Sequence, residues 1–213
     1  PLVGIGLDRL AYFEPAYVDE LASIMAWGFR HMQEKDGGSV YLRLATRQIT
    51  QPQREVTDAL HEDICRGGYW LRQPAPGSEL AIVYAGAIAP EATEAHKSIL
   101  EDVPGAGLLA ITSPDRLHDD WMSARRQREQ GKPARAHIEK LLSDLDPRAA
   151  LVTVLDGHPA TLSWIGSVGR QRVAPLGVES YGQSGDIPDL YKAAGIDVDA
   201  IIDAAASACL ARL

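Results

Sequence analysis

The run Leu80-Ala81-Ile82-Val83-Tyr84, preceded by Glu79 and closed by Gly86, decides how the rest of the chain is read. Such a near-continuous apolar stretch suits a strand buried on both faces, as in a parallel sheet covered by helices. Similar runs recur at 107–112 and 151–155, and a fourth strand is expected at 173–178. Helical segments fill the gaps. One starts at Pro90 and runs to about residue 100, and one is capped by Ser113-Pro114-Asp115. Residues 123–132 are charged and exposed, 134–145 are helical, and 160–168 form a helix or turn. A short helix over 187–194 is stopped by Gly195, and an amphipathic helix over 197–210 ends the chain. Strands alternating with helices imply right-handed crossovers. The expected fold is therefore α/β, a three-layer and mostly parallel sheet with helices on both faces.

Upstream of residue 79 the pattern is different. Residues 1–11 carry scattered glycines and no clear period. A helix is expected after Glu14, with Pro15 in its first turn, and Leu21, Ile24, Met25, Phe29 and Met32 recur as one buried helical face. Lys35-Asp36-Gly37-Gly38 stops it. Val40, Leu42 and Leu44 then alternate with Tyr41, Arg43 and Ala45, a strand that runs out at Thr46-Arg47-Gln48. A helix over 53–65 and a short strand over 69–71 follow. Gln73-Pro74-Ala75-Pro76-Gly77-Ser78 reads as a linker. Two units result. Residues 79–213 form a complete α/β domain, and residues 1–72 look like the tail of another α/β unit with too few strands to make a sheet alone. The chain begins with Pro1 rather than Met and shows no signal peptide, so it is expected to be cut from a longer protein.

Composition narrows the function classes. In 213 residues, 46% are hydrophobic and 23% charged, which is ordinary for a globular protein. The 21 Lys and Arg against 29 Asp and Glu leave a net charge of -8, which argues against nonspecific binding to nucleic acid or an anionic membrane. No stretch approaches the about 18 apolar residues of a membrane span. Cys65 and Cys209 lie far apart, with no disulfide-scaffold or CxxC spacing, which suits a reducing cytoplasm.

Familiar motifs are missing. Gly4-Ile5-Gly6-Leu7-Asp8-Arg9 has Arg where the dinucleotide fingerprint needs its third glycine. Ala85-Gly86-Ala87 is more simply a tight strand-to-helix turn than a ligand loop. There is no phosphate-binding loop, HExxH pair or GxSxG elbow. The six histidines sit mostly on helices among charged neighbours, where packing or solvation accounts for them. His158 is singled out because it follows Asp156-Gly157 at the carboxyl end of a strand, where open α/β sheets bind ligands, although capping of the next helix is the simpler role. Adjacent Asp119 and Asp120 diverge on a helix and do not make a metal pair.

Two longer stretches carry a resemblance. Gly177-Val178-Glu179-Ser180-Tyr181-Gly182-Gln183-Ser184-Gly185, then Asp189-Leu190-Tyr191 and Gly195-Ile196-Asp197, resembles the closing stretch of the transketolase family. Tyr12-Phe13-Glu14-Pro15-Ala16-Tyr17, continuing to Tyr41-Leu42-Arg43-Leu44, resembles the end of the pyrimidine-binding domain in that superfamily. Its nearest likeness is the homodimeric first component of the pyruvate dehydrogenase complex. Ala160-Thr161-Leu162-Ser163-Trp164 and Val173-Ala174-Pro175-Leu176-Gly177 fit in the same order.

The resemblance implies a C-terminal fragment of a thiamine diphosphate-dependent enzyme: the tail of a pyrimidine-binding domain over 1–72, a linker over 73–78, and a transketolase C-terminal-like domain over 79–213. It implies that thiamine diphosphate and Mg²⁺ are held mainly outside this chain. Neither the Gly-Asp-Gly…Asn metal motif nor the glutamate that activates the aminopyrimidine is expected here, so the fragment alone is expected to be inactive and to serve dimerisation.

Thr46-Arg47-Gln48 matches the Ser-Arg-Gln of transketolases, whose Arg helps hold a sugar phosphate, a task that suits a bidentate guanidinium. A surface ion pair or loop anchor is the plainer role for Arg47. Glu91 stands about where homodimeric pyruvate dehydrogenases place a His. The candidate substrate-binding residues are thus Arg47, Thr46, Gln48, Glu91 and His158. The Glu-Pro-Ala-Tyr run favours a pyruvate dehydrogenase, working with a lipoyl acyltransferase, and the Thr-Arg-Gln turn favours ketol transfer between sugar phosphates. The longer match makes the dehydrogenase the leading expectation, with transketolase, or a non-enzymatic assembly module, as the alternatives. A cytoplasmic homodimer is expected.

Overall fold

The computed structural model describes residues 5–7, 9–180 and 182–211. Pro1, with Gly4 and Asp8 of the glycine-bearing stretch and Tyr181 of the late turn, lies outside them. Along the chain run β1 (Leu10–Phe13), α1 (Val18–His31), β2 (Ser39–Leu42), α2 (Asp58–Arg66), β3 (Gly68–Arg72), β4 (Ser78–Ala85), α3 (Ala89–Asp102) and β5 (Gly107–Ile111). They are followed by α4 (Pro114–Glu129), α5 (His137–Leu141), β6 (Leu145–Leu155), α6 (Ala160–Ser163), α7 (Gly166–Gly169), β7 (Arg172–Leu176), α8 (Ile187–Ala193) and α9 (Val198–Leu210).

The larger sheet has the order β3-β5-β4-β6-β7. Its four central and far strands are parallel, and β3 runs antiparallel along the β5 edge. Ile82 of β4 pairs with Leu108 on one side and Val152 on the other, so the quoted run lies in the middle. Its side chains alternate between two cores. Leu80, Ile82 and Tyr84 meet Ala92, Ala95 and Ile99 of α3 and Ile201 and Ala205 of α9. Ala81, Val83 and Ala85 meet Leu117, Trp121 and Ala124 of α4, with Ile138, Leu141 and Leu162. Helices on both faces of a parallel sheet are what a strand apolar on both sides requires. The three-layer α/β expectation stands.

Several local boundaries differ from the sequence reading. β6 reaches back to Leu145, so the helix expected over 134–145 shrinks to α5 and one 3₁₀ turn, Leu142–Asp144. Pro147 disfavours helical backbone at the residue before it. The charged stretch from residue 123 is the exposed end of α4, where Arg126 and Arg128 oppose the negative helix terminus. Thr57 accepts from the Leu60 amide at 3.2 Å and so starts α2 later than expected. β3 joins the larger sheet, and the 73–78 stretch turns within it. Ala75 N–H donates to Gly105 O at 2.9 Å, and Gly77 N–H to Asp144 O at 2.7 Å.

The amino-terminal part holds a second sheet of two parallel strands, with Tyr12 opposite Tyr41. Its β1 falls at the end of the stretch read as having no clear period, because four consecutive apolar residues show none. Helix α1 begins at Val18, past Pro15, because the Glu20 carboxylate accepts from the Ala16 and Tyr17 amides at 2.6 and 2.9 Å. The buried face expected from Met25, Phe29 and Met32 is instead exposed. The strip covered is Glu20, Ser23, Ile24 and Gly28, with Gly28 facing Val40 of β2 and the Ser23 carbonyl 3.6 Å from Cys65 Sγ of α2.

The two sheets are tied at the carboxyl end of β5. Asp115 accepts from the Tyr12 amide at 2.8 Å, and Ser113 Oγ donates to the Tyr12 carbonyl at 2.6 Å. The Glu14 amide donates to Thr112 O at 2.8 Å. Ser113, expected as a helix cap, therefore spends its hydroxyl on β1. Among the described residues, no helix is long and apolar enough to cross a membrane.

Candidate functional site

The order of the larger sheet creates a crevice. From β4 the chain crosses to β5 on one side, then to β6 on the other, so the connections after β4 and β6 diverge at their carboxyl ends. Open α/β sheets bind ligands at such switch points. A cleft of about 920 Å³ lies there. Ala87 follows β4, Asp156 follows β6, and Pro175 to Val178 leave β7 to form its walls. The Val178 amide donates to Gly157 O at 2.8 Å, which holds the last two strand ends together. The amino-terminal sheet closes the other side with Glu14, after β1, and the stretch from Arg43 to Arg47, after β2. Residues of α8, among them Leu190 and Tyr191, complete the rim.

The charged groups are threaded together. Arg43 bonds the Glu14 carboxylate and reaches to 3.8 Å from Asp156. The Tyr12 hydroxyl donates to the other oxygen of Glu14. Glu14 is only 2% exposed, and burial raises its carboxyl above the ordinary range against the pull of Arg43 and Tyr12. Burial and the adjacent Glu14 likewise push the Tyr12 hydroxyl far up, so it stays a donor. Gly86 is what lets Glu14 in. Its φ is +64°, and a Cβ there would collide with the Glu14 side chain.

Arg47 forms a second cluster. Its Nη1 donates to both oxygens of Glu91, at 3.0 and 3.1 Å. Burial alone would lower the guanidinium, but the Glu91 bonds outweigh it and hold Arg47 above its ordinary value. The guanidinium lies 5.6 Å over the Tyr191 ring. The Tyr191 hydroxyl donates to Asp156 Oδ2 at 3.3 Å, and burial beside Asp156 pushes it up to about 12. Asp156 thus joins the Arg43 and Arg47 clusters.

Of the residues picked from sequence, Thr46 and Arg47 line the cleft, and Glu91 meets Arg47 from the first turn of α3. Gln48 is exposed and does not line it. His158 is also exposed and outside the lining, and its Nδ1 accepts from the Ala160 amide at 3.2 Å, a capping role. Glu14, Arg43, Asp156 and Tyr191 were not singled out as site residues. Glu14 and Arg43 follow adjacent parallel strands, a signal hidden while β1 went unread.

No family model and no curated protein matches the chain. Solved structures do. A transketolase from Leishmania mexicana superposes with a TM-score of 0.67 at 16% identity, over 97% of this chain and 26% of that one. The Pichia stipitis transketolase in complex with sedoheptulose 7-phosphate gives 0.65 at 19% identity, over 94% and 25%. A split-gene transketolase described as an inactive β4 tetramer gives 0.65 at 18%, over 97% of this chain and 60% of its own. The chain spans about a quarter of the length of the first two. These neighbours are transketolases, and what they share with the chain at this identity is the fold; they give no support to the pyruvate dehydrogenase likeness of the Glu14-Pro15-Ala16-Tyr17 run or to a lipoyl acyltransferase partner. The chain has a transketolase fold, of the C-terminal-domain type.

Proposed function

We propose that this chain is the closing α/β portion of a thiamine diphosphate-dependent, transketolase-like enzyme that moves a two-carbon ketol unit between sugars. In this reading, the residues before β3, which itself joins the larger sheet, are the tail of a pyrimidine-binding domain, and the cleft is the outer end of the sugar channel. The observation that carries it is the placement of Thr46 and Arg47, the pair that resembles the transketolase Ser-Arg, in the wall of a switch-point cleft within that fold.

The residues present do not fit the coenzyme's own anchors. Arg43 and Arg47 are already paired with carboxylates, which among the described residues leaves the cleft no unpaired arginine for a diphosphate. Among the described residues, no group of three or more His, Cys, Asp or Glu is arranged to hold a metal ion. In this reading the coenzyme and Mg²⁺ are held by the rest of the enzyme. What this chain contributes is shape, hydrogen bonding to the sugar, and a surface for self-association. The split-gene transketolase described as a tetramer, and the exposed Met25 and Phe29 on α1, support that last role. A chain that sediments as a monomer at high concentration would remove it.

The test uses the whole open reading frame that encodes this chain, supplied with thiamine diphosphate and Mg²⁺. The expected result is CO₂ release from 3-hydroxypyruvate coupled to lengthening of an aldose by two carbons. Turnover of pyruvate alone, or of neither donor, refutes the reading.

A further inference from the structure

The cleft of a protein that grips a sugar phosphate needs a cation free to meet it, because charge-assisted bonds from Arg or Lys are what hold such a group. Here the cations are already answered. Arg47 gives two hydrogen bonds to Glu91, and the two side chains are only 21% and 16% exposed. Arg43 is held by Glu14 and has Asp156 at 3.8 Å. Among the described residues, the lining has these two arginines, no lysine and no histidine, and three carboxylates, Glu14, Asp156 and Glu179. A phosphate dianion reaching Arg47 would have to displace Glu91 or lie beside it, and like charges repel strongly where water is scarce. A hydroxyl has no such difficulty. It accepts from a guanidinium and donates to a carboxylate, so a polyol can bridge the existing ion pairs and leave no charge unmatched.

We propose that the cleft binds the far end of an unphosphorylated polyhydroxy substrate, a free sugar or polyol, and that Glu91 sets this preference by occupying Arg47. The word substrate rests on the ketol-transfer reading. The binding preference belongs to this chain and is measured separately from turnover.

The chain, labelled with ¹⁵N, is titrated with ribose and with ribose 5-phosphate while the amides from Arg43 to Arg47 and of Tyr191 are followed by NMR. In the wild type, ribose 5-phosphate is expected to bind no tighter than ribose. Glu91→Gln, which keeps the shape and removes the charge, is expected to tighten ribose 5-phosphate by about tenfold or more, equivalent to about 1.4 kcal/mol, while ribose changes little. Adding Arg47→Ala to that variant should abolish the gain. A wild type that prefers the phosphate by about tenfold, a Glu91→Gln variant with an unchanged ratio, or amides unmoved by either sugar would each overturn the proposal. The wild-type ratio decides the point even where a variant fails to fold. Should the preference hold while the whole enzyme transfers no ketol unit, the functional reading falls and the polyol site stands.

Discussion

Replacing Gly86 by Ala tests how the cleft floor is built. The residue sits at φ +64°, in the left-handed region, where a Cβ costs about 1–2 kcal/mol. The same Cβ would stand 2.5 Å from Glu14 Oε1 and 2.7 Å from its Cδ. Glu14 has little freedom to retreat, since it is buried and bonded to Tyr12 and Arg43. Forcing it aside adds about 1–3 kcal/mol of overpacking. The expected total is about 2–5 kcal/mol, read from urea denaturation at constant m-value. At this chain length each kcal/mol lowers Tm by roughly 2–4 °C. The Glu14→Ala background separates the two parts. With the carboxylate gone, only the backbone strain remains, and Gly86→Ala should then cost about 1–2 kcal/mol. An equal cost in both backgrounds would show that Glu14 does not press on Gly86 and that the floor is organised otherwise.

Two more outcomes follow from the buried polar groups. Asp115→Ala unpairs the buried Tyr12 amide, and should lower stability by about 2 kcal/mol while speeding hydrogen exchange at Tyr12. Unchanged protection at Tyr12 would contradict the tie between the two sheets. The buried His96 and His137 both have their pKa lowered by burial, and their Nε2 atoms lie 2.8 Å from the carbonyls of Ala106 and Gly68. Below the ordinary imidazole value the unfolded chain takes protons that the folded chain refuses, so stability should fall as pH drops from about 6.5, by up to about 1.4 kcal/mol per pH unit for each histidine. His96→Gln should flatten that part of a Tm-against-pH profile, and an unaltered slope would remove His96 from the account.

The layered fold was readable along the chain because burial on both faces is a local property. Leu80, Ile82 and Val83 announce it without knowing their neighbours. The first helix shows the limit of that logic. Leu21, Ile24, Met25, Phe29 and Met32 have the spacing of a buried stripe, yet periodicity reports amphipathicity and not what is available to cover it. With β2 and α2 packed against one strip of it, Glu20, Ser23, Ile24 and Gly28 are taken in and Phe29 is left outside. Likewise Ser113 had the look of a cap, and only the approach of β1 turned its hydroxyl toward Tyr12.

The cleft divides the same way. Arg47 could be marked from its neighbours in sequence, as a guanidinium at a strand's end. That its charge is answered by Glu91, 44 positions along, could not. Nor could the meeting of Glu14, Arg43 and Asp156, which arrive from three different strand ends. Periodicity and turn chemistry are written over a few residues each and specify which elements form. Pairing between distant charges depends on sheet order and on how two sheets dock, and those are settled by packing across the whole molecule.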